Sequence, residues 1–282
     1  MKNSLLAILL LVSVNSFSQN FFTSVFAGGS NYNGDIQDKM FTLIRSKPAW
    51  GLGLMFELND RMLIRGDFSS AQIHADDKFS KLNKARNLSF YSDITEFSLG
   101  FEYTLFNLYD YKVSPYLFTG VGVFKFSPYI KAANGSKIIL SELDTEGQGF
   151  YLGRSKYKLR QLCIPFGGGI QWALTDNKRI GFVIGIRKTF TDYLDDVSTT
   201  YVDKDLLIQK RGVKAATLAY RGNELPNGDP YPVAGTKRGN PANQDWYYFT
   251  GITARFRIGL TPKKRLQSYK VKKAKVSCPK PF

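Results

Sequence analysis

Cysteine is nearly missing, with only Cys163 and Cys278 in 282 residues. Two such residues make no disulfide framework, and they are expected as two free thiols, one at the start of a predicted strand and one in the C-terminal tail. Histidine is scarcer still: His74 stands alone, which leaves little for imidazole-based catalysis or metal binding. Beyond the first 18 residues no run approaches the roughly 18–20 consecutive apolar residues of a membrane helix. Long Ala/Leu/Glu/Lys stretches at helical spacing are missing too. Helical bundles and helical membrane spans are thereby excluded.

What is abundant is glycine, at 25 residues, and aromatics, with 16 Tyr and 22 Phe. Together with many short alternating segments, this composition points to β structure. The chain opens MKNSLLAILLLVSVNSFSQ. A positive Lys2, an apolar run from Leu5 to Val14 and the small-x-small site Ser16-Phe17-Ser18 read as a secretory leader, residues 1–18, cleaved after Ser18. The expectation is an exported protein.

The formal charge of +16 is unevenly placed, since Thr261 to Phe282 hold eight Lys/Arg and no acid. An exported chain rarely meets nucleic acid, so no nucleic-acid partner is expected. The basic tail, residues 261–282, with Lys263, Lys264, Arg265, Lys270, Lys272, Lys273 and Lys275, reads instead as an interaction segment. It suits either anionic lipid and cell wall or an acidic periplasmic partner.

Eight strands are predicted: Phe21–Ser30, Ala49–Leu58, Met62–Gln72, Phe90–Leu105, Pro115–Phe126, Leu162–Leu174, Arg179–Thr191 and Trp246–Leu260. Five show one apolar face and one of small and charged residues. In RIGFVIGIRKTF, Ile180, Phe182, Ile184 and Ile186 alternate with Arg179, Gly181, Val183, Gly185 and Arg187. The second, fourth, sixth and eighth strands behave similarly. The first and fifth remain unassigned, because Tyr116, Phe118, Phe124 and Phe126 share a face with Gly120 and Gly122. The polar faces collect Glu57, Asp67, Glu96 and Glu102 against Arg65, Arg179, Arg187, Arg255 and Arg257. Near-balanced charges among Gly, Ser and Thr suit a narrow lumen, where buried charges persist only when paired. The apolar faces end in Trp50, Trp172, Phe190, Trp246 and Tyr248, like an interfacial girdle.

Connections alternate strictly between short and long. Leu58–Arg61, Phe106–Ser114 and Thr175–Lys178 are short, and the rest run from about 17 to over 50 residues. The expected fold is therefore all-β: an eight-stranded antiparallel up-and-down transmembrane β-barrel over residues 19–260. Its long loops would be extracellular, and its short turns and both termini periplasmic. A soluble barrel would place its apolar residues inward instead.

Catalytic chemistry finds little footing. Ser69 and Ser70 lie near His74 in sequence, but no orienting acid is identifiable, and His74 reads as an exposed loop residue just past the third strand. Asp192, Asp195 and Asp196, with Asp203 and Asp205, could offer oxygen ligands to calcium. They lack the spacing of a calcium loop and read as a solvated loop start. Gly167-Gly168-Gly169 sits inside a strand without a following Lys-Ser/Thr, so close packing accounts for it better than phosphate binding. No catalytic residue, cofactor or metal site is expected.

Three stretches, GGSNYNGDI (Gly28 to Ile36), RNLSFYSDITEFSLGFEYTLF (Arg86 to Phe106) and SPYLFTGVGVFKFSP (Ser114 to Pro128), with DDVSTTYVD (Asp195 to Asp203), resemble the PorG-type outer-membrane barrels of the type IX secretion system. The resemblance runs over most of the mature chain. It implies a non-enzymatic outer-membrane component that anchors or organises a protein-export machine, in contact with its periplasmic ring proteins and distinct from the translocation pore. The alternatives are an adhesin or ligand binder acting through the long outer loops, and a lipid-modifying barrel enzyme centred on His74.

Overall fold

The computed structural model describes residues 20–258 apart from 38–41, 43–44, 81–82 and 133. Residues 1–18, expected as a leader, and the tail residues Lys263, Lys264, Arg265, Lys270, Lys272, Lys273 and Lys275 lie outside the described residues. The strands are β1 (Phe21–Asn33), β2 (Lys47–Glu57), β3 (Met62–Asp76), β4 (Ser89–Thr104), β5 (Val113–Lys131), β6 (Lys137–Ile139), β7 (Arg160–Thr175), β8 (Lys178–Thr189) and β9 (Trp246–Arg257).

Eight of them pair antiparallel with their chain neighbours, and β1 pairs with β9 to close the ring. The three-residue β6 only folds back onto the far end of β5. This is a closed eight-stranded antiparallel β-barrel.

Period-2 alternation assigns the two faces. Outward side chains are apolar and bare: Leu52 is 53% exposed, Phe101 57%, Val121 65% and Ile252 64%. Inward neighbours on the same strands, such as Glu57, Glu102 and Arg255, are each 1% exposed. A sheet in water would reverse that arrangement. The fifth strand now has its faces assigned as well. Tyr116, Phe118, Phe124 and Phe126 point inward, and Leu117, Val121 and Val123 outward.

Facing glycines let the wall bend this tightly. Gly28 lies opposite Gly251, and a Cβ on Gly28 would sit 2.1 Å from the Thr250 carbonyl oxygen. Gly100 faces Gly120 with the same consequence, 2.3 Å from the Thr119 oxygen. Any side chain at either place would force the strands apart.

One end of the barrel carries tight turns. Asn59 Oδ1 accepts from the backbone N–H of Arg61 and Met62 at 3.0 and 2.9 Å, and Asn107 Oδ1 accepts from Tyr109 N–H at 2.9 Å. These Asx contacts reverse the chain in few residues. At the other end β4 and β5 run 16 and 19 residues, beyond the ~9–11 that cross a bilayer, so they rise above the apolar band. There the long connections fold over the mouth as a cap. The cap contains α1 (Lys204–Arg211) and α2 (Val213–Ala219), which sequence periodicity did not reveal. Asp203 caps α1 by accepting from Leu206 N–H at 2.9 Å, and Gly212 ends it at φ 85°. Val202, Leu207, Ala215, Ala216 and Ala219 form the cap's own small core. Among the described residues no helix is long and apolar enough to cross a membrane.

Three expectations are corrected here. His74 is not a loop residue: β3 runs on to Asp76, and the ring lies on the outer wall stacked 4.2 Å from Tyr91. Tyr248 is not part of an exposed girdle. It is 2% exposed, and its hydroxyl accepts from Thr42 N–H at 3.2 Å as the first loop folds over it. The Asp192–Asp196 segment is not a solvated loop start, since Asp192, Asp195 and Asp196 are 7%, 1% and 0% exposed.

Candidate functional site

The lumen is the first candidate, and strand register builds it. Glu57 on β2 accepts from Arg179 on β8 at 3.0 Å, from Arg257 on β9 at 2.9 Å and from the Tyr109 hydroxyl at 2.7 Å. Glu102 on β4 accepts from Arg65 at 2.9 Å and Arg255 at 2.5 Å, and Arg65 also holds Asp67 at 2.7 Å. Glu96 accepts from Arg187 at 3.0 Å and from the Tyr247 hydroxyl at 2.7 Å. All nine charged residues picked from the polar faces thus meet inside the barrel, in three groups along its axis.

The arginines also lie over rings, which shield them further from any water in the barrel. Arg179 sits 4.4 Å from the Phe22 centroid, Arg187 4.1 Å from Phe249, Arg65 4.4 Å from Phe118 and Arg255 4.9 Å from Tyr116. This accounts for two of the inward aromatics of β5, Tyr116 and Phe118, while Phe124 and Phe126 pack against Tyr247 and Tyr157. Gln171 joins the middle group, accepting from Arg255 at 3.0 Å and donating to the Thr104 hydroxyl at 2.9 Å.

What remains between these side chains is a void of ≈ 40 Å³ by Arg65, Ser69 and Arg187 and another of ≈ 10 Å³. The larger admits a few waters at most. The lumen is filled by its own ion pairs, as eight-stranded barrels generally are by side chains. Cys163 is a free, buried thiol here, 3.8 Å from the Tyr247 hydroxyl.

The cap holds the second cluster, and most of its members escaped sequence reading. Glu146, fully buried, accepts from Arg238 at 2.9 Å, from Ser198 N–H at 2.9 Å, and from Thr199 N–H and hydroxyl at 3.0 and 2.6 Å. Arg86 clasps Asp77 at 2.7 Å and donates to the Arg238 carbonyl, tying the second outer loop to the last. Nearer the barrel mouth carboxyls crowd one another. The Tyr32 hydroxyl lies 2.7 Å from Asp195 and 2.9 Å from Asp245. One hydroxyl proton cannot serve both, so one of these carboxyls brings its own.

Burial, and then the charges of neighbouring acids, hold this group protonated. Asp192 is pushed up to about 9 by burial and by Asp195 and Asp35. Asp195 and Asp245 are likewise raised, burial leading in each case, followed by Asp35 at the former and Asp195 at the latter. Asp196 rises less, to about 6, because Arg238, Thr145 and Tyr157 compensate its burial. The calcium reading gains no support. Asp203 and Asp205 are exposed on or beside α1, away from the buried acids, and no group of three metal-ligating side chains occurs among the described residues.

For the enzyme reading, the Nδ1 atom of His74 is 2.6 Å from the Phe90 carbonyl oxygen on the outer wall; Ser69 faces the lumen with 6% exposure, and Ser70 shares the outer face with His74. The triple glycine lies within β7, where a Cβ on Gly169 would meet the Phe182 oxygen at 2.0 Å and the Tyr116 ring at 2.9 Å.

The class these features define is a closed, self-filled eight-stranded barrel with an apolar exterior. Residues 2–209 match the family described as "Domain of unknown function (DUF6089)", and the chain belongs to that family. Among solved structures it is similar to Neisserial surface protein A (8% identity, TM-score 0.44, covering 84% of this chain and 97% of that one). It is similar also to the outer membrane protein OprG from Pseudomonas aeruginosa (11%, 0.39, 85% and 97%). The outer membrane enzyme PagL is a third (10%, 0.30, 84% and 99%). With scores this low, no role is carried over from them. No curated protein matches.

Proposed function

We propose that this chain is a non-enzymatic outer-membrane barrel whose turn end, carrying both termini, faces the periplasm. One observation carries the reading: bare apolar side chains ring the outside, and ion-paired charges fill the inside. Lipid is the solvent that fits such an exterior. The filled lumen makes it a scaffold or anchor, not a conduit.

Within that frame the specific role we favour is anchoring or organising type IX secretion through contacts with periplasmic ring proteins. Its support is the resemblance of four sequence stretches to PorG-type barrels, together with the basic tail. Deleting the gene is expected to block export of type IX cargo, while purified barrels in planar bilayers stay non-conducting. Normal cargo export in the deletion strain would end the secretion role. Steady ion currents would end the scaffold reading. A surface-binding role is the second reading, and the ordered cap favours it: a loop cluster with its own core and buried ion pairs presents a fixed shape outward.

A further inference from the structure

We propose that the cap-side rim of the barrel binds the phosphorylated sugar headgroup of an outer-leaflet glycolipid, with Lys125, Arg160 and Lys188 holding phosphate. The inference rests on the membrane reading above. It starts from an unfavourable pairing. Lys125 on β5 and Arg160 on β7 stand directly opposite each other in the ladder, both outward and exposed. Like charges placed so are destabilising. No carboxylate among the described residues lies within ion-pairing distance of either: Asp93, the nearby outward acid, is taken by Lys137 at 2.5 Å. A rim built this way is missing an anion.

The position tells which anion. Towards the turns the same strands next present Val123 and Leu162, and then Ile164, with 51%, 61% and 38% exposure, facing where acyl chains would lie. Lys125 and Arg160 therefore stand where the apolar band of their strands stops, at headgroup depth. Lys188, exposed on β8, stands opposite Ile164 in the ladder, four residues nearer the turns than Arg160, and Lys131 lies 4.7 Å from the Tyr91 ring further round. The opposite rim shows no such bias. There Arg61, Lys112 and Lys178 are matched by Asp60, Asp110 and Asp176 in the short connections.

Lys188 also forms one wall of a polar groove of ≈ 550 Å³ with Asn33, Asp35, Asn243, Gln244 and Trp246. Amides that both donate and accept and a carboxylate that accepts, beside a partly buried indole, are groups that hydrogen-bond and stack on a sugar ring. A phosphate at Lys188 would bring an attached sugar into that groove. Charge and groove together favour a phosphorylated glycolipid over a plain anionic phospholipid.

The test uses the full chain reconstituted in phosphatidylcholine vesicles containing lipid A with both phosphates, lipid A stripped of them, or phosphatidylglycerol. Retention of each lipid by the re-purified barrel is measured. Wild type is expected to retain diphosphorylated lipid A roughly tenfold over either comparison lipid. The double variant Lys125→Gln, Arg160→Gln should lose most of that preference, and Lys125→Arg should keep it. Equal retention of dephosphorylated lipid A overturns the phosphate contact. Retention of phosphatidylglycerol equal to that of lipid A overturns the glycolipid assignment. Failure to insert into any vesicle, with the apolar wall open to protease, would refute the membrane reading itself. The wild-type lipid comparison stands even where the double variant does not fold.

Discussion

The lumen and the barrel mouth both bury carboxylates, but they keep them by different means. In the lumen Glu57, Glu96 and Glu102 each face at least one guanidinium at 3.0 Å or less. At the barrel mouth Asp192, Asp195 and Asp245 lie among other acids and hold protons instead. The first arrangement suits a wall surrounded by lipid, where an unpaired charge has no water to fall back on. The second suits loops that reach water, where protonation can be exchanged with the surroundings. A carboxyl group is thus a fixed structural charge in one region and a titratable one in the other.

The contrast breaks most sharply at Glu102. Glu102→Ala strips Arg255 of its carboxylate and leaves Arg65 with Asp67 alone, and should cost about 3–5 kcal/mol, read as a lower urea midpoint of the folded barrel. Next is the outer wall: Ile184→Arg should cost about 2–4 kcal/mol near mid-membrane, while Val183→Thr, facing inward, costs far less. Equal tolerance of the two in membrane assembly would contradict the assigned faces. In the cap, Glu146→Gln weakens the hold on Arg238 and should speed proteolysis of the 190–245 connection without moving the barrel's urea midpoint. A matched fall in both would show that cap and barrel unfold together.

The smallest effect is a pH dependence confined to the cap. Native Asp192 keeps its proton up to about pH 9, while an unfolded aspartate loses it near 4. The folded cap therefore binds more protons between those values, and its stability is fully present at the acid end and falls as pH rises. Protease resistance of the cap should decline from pH 5 to pH 9, and Asp192→Asn should flatten part of that slope. An unchanged slope would place the titration elsewhere.

How much of this was legible depended on period and register. Alternation in Arg179–Phe190 sufficed to send Arg187 inward and Ile184 outward, because a strand has only two faces. It did not reveal that Glu57 meets Arg179 and Arg257, since those contacts cross the lumen between strands over a hundred residues apart. Tyr109 was hidden for a related reason: it belongs to a short connection that reaches into the turn end of the barrel to touch Glu57. In the cap, helices of eight and seven residues are too short to show a period. Asp195 and Asp196 looked solvated because their burial comes from Tyr32, Thr145 and Tyr157, all distant in sequence.

The pairing of Phe22 with Arg257 joins the first strand to the last, and this sets a timetable for assembly. Until β9 arrives, β1 and β8 are open edges that can recruit any other extended chain. Glu57 and Glu102 meanwhile lack Arg257 and Arg255, which only β9 delivers. Edge closure and charge neutralisation therefore happen in one late, long-range step, the kind that folds slowly and leaves intermediates prone to aggregate. A chain of this design depends on being escorted until its final strand is in place.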